Sequence, residues 1–409
     1  MINQHNPRSG QDPLYGWLMV FIVFSLSSLS FGALGSISVF LKPLAAEFGW
    51  TRGQTSFGYS AIAFSSAIFG IFWGFLADRF GTRWFGLIGA IVMVMALYFL
   101  SGQSSLLHFY GFYFLFGAFG NAIIATPLFA NVGFWFSHRP GLALGITAAG
   151  GAFGQGVVPY FVGSIIEAEG WRSAYTSMAV FYGIIAIPLS LMIRESPLRE
   201  RARISPTPVP SGFVLSEKEV VVWISIAVLF CCNCMSVPIV HLVPLLTDSG
   251  HSLETATQVL MVLMLAGVAG RIFGGKLGDS IGALPAYFFM SLGQTVFVFW
   301  FPHILPLTGL YALAVVFGFT YSGVMSSILV CTRTMVSPGF AARAMSITSF
   351  FGWSGMALGG LIGGIFYDFT GNYFGSYSFA SIAGIINLLI LMLFWRRTSR
   401  ATKMVTHPI

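Results

Sequence analysis

Residues 263–279 read LMLAGVAGRIFGGKLGD, an apolar run of small residues interrupted by one cation, Arg271. The stretch has the character of the second half of a membrane helix, ending on a charged turn at Lys276 and Asp279. Arg271 stands eight residues before Asp279, about 12 Å along a helix, and about 25 Å from Glu254 at the other end. Those depths fall inside a hydrocarbon layer ~30 Å thick. An arginine there costs at least about 2.5–3.5 kcal/mol, so it is expected to face a wet cavity or a partner rather than lipid. Snorkelling to the surface would have to cover eight residues of helix, a long reach for one side chain.

The rest of the chain shares this character. Of 409 residues, 56% are hydrophobic and 8% charged, where a soluble protein carries about a quarter charged residues. The fold class is therefore an all-α membrane protein. Residues 1–14 are polar, and the apolar segment after them is of full span length without a small-residue cleavage site, so no removable signal is expected. Cys231, Cys232, Cys234 and Cys331 all fall within apolar spans, which argues against an extracellular disulfide framework.

The net charge of +7 is explained by topology. With twelve spans and both termini in the cytoplasm, sixteen Lys and Arg residues fall on the inner side and only Lys42, Arg52 and Arg172 outside, with Arg271 in between. That bias fixes orientation by the positive-inside rule. It places the chain in the cell membrane, an inner membrane, with no nucleic-acid partner.

Helices are expected over 15–41, 54–77, a third ending near Leu100, 106–136, 140–167 and 171–193. Six more are centred near residues 233, 266, 291, 321, 353 and 384. Between the sets runs RESPLRERARISPTPVPSGFVLSEKE (194–219), charged and proline-rich, hence a cytoplasmic linker. The expected division is a six-helix bundle over 1–193, the linker, a second bundle over 220–396 and a tail over 397–409. The halves repeat at an offset of 201 residues. Gly74, Asp78 and Gly81 recur as Gly275, Asp279 and Gly282; Phe116-Gly117 as Phe317-Gly318; Ile146-Thr147 and Gly154 as Ile347-Thr348 and Gly355; Gly170 as Gly371; and Pro43-Leu44 as Pro244-Leu245. Arg271 corresponds to Gly70, so the charge breaks the repeat.

Parallel six-helix repeats related by an axis along the membrane normal are the architecture of major facilitator transporters, whose substrate sites lie between the halves. The turn GFLADRFGTR (74–83) resembles the signature loop of that superfamily, with Gly74, Asp78, Arg79, Gly81 and Arg83 in the expected places. The resemblance implies a cytoplasmic latch that holds the gate shut. The second copy has Asp279 but Ser280 and Ala283 in place of the arginines, so the latch is asymmetric.

A narrower resemblance is to the monocarboxylate transporter family. WFSHRPGLALGITAAG (135–150), with the basic pair His138–Arg139, looks like that family's signature across helices 4 and 5. Asp12, Gly16 and Trp17 partly match the helix 1 signature, with Pro13, Leu14 and Tyr15 departing from it. Arg271 matches the family's helix 8 arginine, which binds the substrate carboxylate. The family's helix 1 lysine and helix 8 aspartate, both linked to proton coupling in animal members, fall on Gly35 and Gly267. The related oxalate–formate exchangers add a helix 11 lysine; helix 11 here carries no charge, which favours one carboxylate over two.

The chemistry points the same way without the resemblance. A guanidinium matches a carboxylate bidentately and stays charged at any working pH, and all 13 acidic residues map to loops or helix ends. Asn121 in helix 4, with Tyr321 and Ser322 in helix 10, are mid-span hydrogen-bonding candidates for the site, Ser322 being the repeat-equivalent of Asn121, and Tyr113 is a further one. Such residues also serve simply to join helices. His241 is the sole histidine within a span; it is either a proton carrier or a packing residue. Cys231, Cys234 and His241 share a helical face but lack a fourth ligand, so neither metal nor cofactor is expected.

No nucleophile–base set or phosphate loop points to an enzyme. The expected function is a secondary transporter, monomeric, that moves a small organic monocarboxylate with a proton by alternating access. An exporter of amphiphilic compounds and an anion exchanger are the alternatives. A transporter-like sensor without flux would need an output domain.

Overall fold

The computed structural model describes residues 14–136, 140–196, 215–304, 306–336 and 338–406, and within them the chain is helical without strands. Twelve helices follow in order: α1 Leu14–Phe48, α2 Arg52–Phe80, α3 Arg83–Ser101, α4 Leu106–Gly133, α5 Pro140–Glu169, α6 Trp171–Leu191, α7 Glu217–Asp248, α8 Leu253–Ile281, α9 Ala283–Val298, α10 Leu307–Thr334, α11 Pro338–Thr370 and α12 Phe374–Thr406. Eleven of these described helices are long and apolar enough to cross a membrane. The exception, α9, has 16 residues, about 24 Å of helix. It stops at Val298, and the chain continues through turns that bury Phe301. Exposed Phe161, Ile184 and Ile382 are the apolar outer surface such a bundle turns to lipid.

Several helix boundaries differ from the sequence expectation, α2 for one running to Phe80 rather than Ala77. α1 runs past Leu41 and through Pro43 to Phe48. Its last turn is held to the start of α6: the Trp171 indole donates to Glu47 at 2.6 Å, and Arg172 pairs with the same carboxylate at 2.7 Å. α4 ends at Gly133 rather than Phe136 and contains two wide π-helical turns, Phe116–Asn121 and Ile124–Leu128. Pro127, which has no N–H to give the helix, sits in the second. The linker residues 197–214 and the basic pair His138–Arg139 lie outside the described residues.

The repeat is written into the backbone. All six glycines with positive φ among the described residues pair at the 201-residue offset: Gly49 with Gly250, Gly81 with Gly282, Gly170 with Gly371. Thr51 and Ser252, also 201 apart, cap α2 and α8 by accepting a backbone N–H. Packing repeats as well: α1 lies on α5 as α7 lies on α11, and α2 lies on α4 as α8 lies on α10. The two six-helix bundles meet along α5–α8 and α2–α11, contacts that the repeat exchanges. Because the described helices alternate in direction and number twelve, the start of α1 and the end of α12 share one face, here the termini face; the α1–α2 turn lies on the far face.

Candidate functional site

The rotation of α8 decides where its charge points. Gly267, Gly270 and Gly274, spaced i, i+3 and i+7 on one stripe, lie against Gly318, Phe319 and Gly323 of α10 with backbone nearly touching backbone. Arg271 flanks that stripe and reaches α5 of the other bundle, where its Nη1 donates to the carbonyl of Ala148. The side chain is half-buried, its Nε–H is buried without a partner, and it joins no ion pair among the described residues. A guanidinium has five donors, and its two partners here, the Ala148 carbonyl and the Tyr321 hydroxyl, are both neutral. A buried charge so poorly paired is costly. A planar anion supplies the missing acceptors in the geometry the fork prefers.

Two of the sequence candidates gather around it. The Tyr321 hydroxyl accepts a hydrogen bond from Arg271 and donates to Gln155 Oε1 of α5 at 3.4 Å. Ser322, fully buried, has a hydroxyl with no partner and lies against Gly267, one helical turn from Arg271. Its repeat-equivalent, Asn121, is in a different situation. Asn121 accepts from Ser30 at 2.8 Å and donates to Ser66 at 2.9 Å, joining α1, α2 and α4. Ser66 corresponds to Gly267, so the second bundle lacks this bond and Ser322 is left unanswered.

Gln155 and Tyr59 were not nominated from sequence. Gln155 is an amide 15 residues into α5, about 22 Å along the helix, and that mid-span polarity was a readable signal. Tyr59 lies only two turns into α2; its buried hydroxyl has no partner and is within electrostatic reach of Tyr321 and Cys232. The cluster thus draws on α2 and α5 of one bundle and on α7, α8 and α10 of the other.

The remaining candidates sit elsewhere. The Tyr113 hydroxyl shares a 2.7 Å hydrogen bond with Tyr175 inside the first bundle. His241 Nε2 lies 2.8 Å from the Gly360 carbonyl of α11, and the ring packs on Tyr373 at 5.4 Å. Facing a carbonyl, Nε2 holds the proton, which leaves the buried, unpartnered Nδ1 as the free nitrogen. Cys231 instead lies by Ser291 and Gln294, so the soft ligands of one helical face serve separate contacts.

The two departures from the monocarboxylate pattern have a packing cause. A Cβ on Gly35 would stand 3.0 Å from the Gln155 carbonyl oxygen and 3.1 Å from its Cα, so α1 and α5 close this position to a lysine. A Cβ on Gly267 would fall onto the Ser322 hydroxyl, 3.0 Å from its Cβ. An aspartate there would crowd Ser322 and the Gly318 carbonyl of α10.

Ionic contacts hold the two bundles together on the far face. Asp248, the last residue of α7, pairs with Lys42 of α1 at 2.7 Å and with Arg52 of α2 at 3.4 Å. Asp368 of α11 accepts the backbone N–H groups of Arg52 and Gly53, both at 2.8 Å, at the N-terminus of α2. A carboxylate there answers unpaired donors and the positive end of the helix dipole. The Arg52 guanidinium also lies over the Tyr367 ring at 5.2 Å. From sequence, Lys42 and Arg52 were read as topology alone.

On the termini face, the signature turn is clasped within its own bundle. Gly81 has φ +80, and a Cβ there would lie 3.0 Å from Glu195. Thr82 donates its N–H and hydroxyl to Glu195 at 2.7 and 2.9 Å. Gly74 lies beside Thr126 of α4. Arg79 and Arg83 lie over Phe80 and Trp84 at 5.4 and 5.3 Å, and Asp279 is exposed. The Asp78 side chain lies outside the described residues.

Comparison with known proteins follows this geometry. A sequence model of the Major Facilitator Superfamily matches residues 20–359. Monocarboxylate transporter 13 of Bos taurus is 26% identical, with 97% of this chain and 95% of the relative aligned. The riboflavin transporter RibJ of Trypanosoma brucei brucei is 30% identical, over 46% of this chain and 36% of its own. Among solved structures, a bacterial homologue of the human lysosomal transporter Spinster, crystallised inward-facing and unoccupied, has a similar fold, with a TM-score of 0.69 at 16% identity over 96% of this chain and 98% of that one.

Proposed function

The chain belongs to the Major Facilitator Superfamily, and on that premise we propose that it carries a small organic monocarboxylate across the cell membrane by alternating access, together with a proton. It is a multi-pass membrane transporter of small organic substrates, and its relatives are transporters rather than enzymes. The observation that carries the finer reading is Arg271, a guanidinium between the bundles whose partners, the Ala148 carbonyl and the Tyr321 hydroxyl, are neutral and whose Nε–H has none. An anion completes that site. The monocarboxylate transporters among the relatives support the same choice.

Orientation follows from charge: the termini face carries the basic excess and is cytoplasmic. The far face is then extracellular, and the bonds from Asp248 and Asp368 close it. The turn around Asp78, with Gly74, Arg79, Gly81 and Arg83, forms the opposing latch when the cycle closes the cytoplasmic side.

Energetics require a coupling partner. An anion entering against a 100 mV inside-negative potential costs about 2.3 kcal/mol per charge, so accumulation needs a proton or an outgoing anion. The proton travels either on His241 or with the substrate beside Arg271. In proteoliposomes, uptake is expected to rise as external pH falls, and His241→Gln separates the two routes. Uptake by the variant that stays pH-driven places the proton with the substrate; pH-independent exchange makes His241 the carrier. Anion exchange is the second reading, favoured by the packing that closes Gly35 and Gly267 to charged side chains. It takes over if an imposed proton gradient drives no net uptake in the wild type.

A further inference from the structure

The substrate side of α5 is a single stripe. Ala148, Gly151 and Gln155 stand at i, i+3 and i+7 and so share a face. Each meets a different chemistry. The Ala148 carbonyl accepts from Arg271. Gly151 leaves room for the Phe31 ring of α1, which a Cβ there would meet at 3.3 Å. Gln155 accepts from the Tyr321 hydroxyl. Gly151 lies about 4.5 Å along the helix from Ala148, and Gln155 about 10 Å.

Phe31 does not pack into its own bundle alone. Its ring faces Trp353 of α11 with centroids 5.9 Å apart and planes at 30°. α1 belongs to the first bundle and α11 to the second, so this pair crosses the gap in which the guanidinium lies. Phe31 and Trp353 each stand more than ten residues from either end of their helices, yet both are only partly buried. The rings face each other across the two bundles and keep part of their surface open. Beyond them, Gln155, Tyr321 and Tyr59 add polar atoms but no second cation.

We propose that the transported acid is planar and unsaturated, an aryl or conjugated monocarboxylate, with its carboxylate on Arg271 and its ring against Phe31 and Trp353. This inference rests on the carboxylate reading above and specifies the body of the same substrate. A carboxylate held at the level of Ala148 places the next few atoms at the level of Gly151, where the aromatic pair stands. Short hydroxy or alkyl acids reach the guanidinium but leave the rings without a partner. Aromatic contacts of this kind raise affinity about 10- to 100-fold when two rings contribute.

Purified wild-type protein titrated with benzoate and with lactate tests it. Benzoate is expected to bind at least about 10-fold more tightly. Trp353→Leu is expected to remove most of that preference by weakening benzoate binding far more than lactate binding, and Phe31→Leu gives an independent second variant. Lactate binding as tightly as benzoate to the wild type overturns the inference and leaves the carboxylate reading standing. Equal loss of both acids in the Trp353 variant also overturns it. Failure of the wild type to bind either acid overturns both.

Discussion

Arg271→Lys lowers monocarboxylate uptake about 10- to 100-fold at equal membrane abundance, although the charge is kept. The guanidinium offers two parallel N–H donors to a carboxylate, while an ammonium is a point charge on a flexible stem. Losing one charge-assisted hydrogen bond costs about 1.5–3 kcal/mol, which converts to that range of affinity. Lysine also cannot hold the Ala148 carbonyl and the substrate together as the fork does. Arg271→Gln, which removes the charge, abolishes uptake. Counterflow in proteoliposomes measures both variants, and near-normal transport of every acid by the lysine variant contradicts the clamp.

Asp368→Asn opens the far face. Two charge-assisted hydrogen bonds from Asp368 hold the N-terminus of α2, and asparagine turns one acceptor into a donor facing an N–H. The loss of about 3 kcal/mol shifts the balance between closed and open far face roughly 100-fold. Ser56 is the reporter for this change: it is fully buried where Gly364 of α11 approaches α2, and the four native cysteines are buried. In a Ser56→Cys background, Asp368→Asn is expected to speed labelling by an impermeant maleimide. Labelling at the unchanged rate removes Asp368 from the gate. Asp248→Asn, which frees Lys42 and Arg52 together, is expected to act in the same direction.

The sequence carried the features that repeat or stand out locally. The 201-residue offset was legible because turn glycines cannot be exchanged freely at positive φ, and the backbone pairs Gly81 with Gly282 and Gly170 with Gly371 as the motifs do. Arg271 was legible because a cation at that depth in an apolar helix is costly, and its bland alternative, snorkelling, needs a long reach. What escaped was set by contacts between distant segments. Asp368 and Arg52 are 316 residues apart, and nothing local to either marks them as partners. Asn121 and Ser322 looked equivalent, yet one hydroxyl at Ser66 against one hydrogen at Gly267 occupies the first and leaves the second unanswered. The end of α1 was placed short at Leu41, and the bonds that hold its last turn, from Trp171 and Arg172 to Glu47, come from 124 residues or more along the chain.

The carboxylate clamp at Arg271 is tested most directly by calorimetric titration of the purified wild-type protein with an acid and with its neutral primary amide, benzoate against benzamide and lactate against lactamide. The pairs match in size and shape and differ in the charge that Arg271 is placed to read. Saturable binding of the acids, with no heat from the amides and none from the acids in Arg271→Gln, is the result expected. Amide binding as tight as acid binding, or acid binding that persists without the guanidinium, contradicts the account.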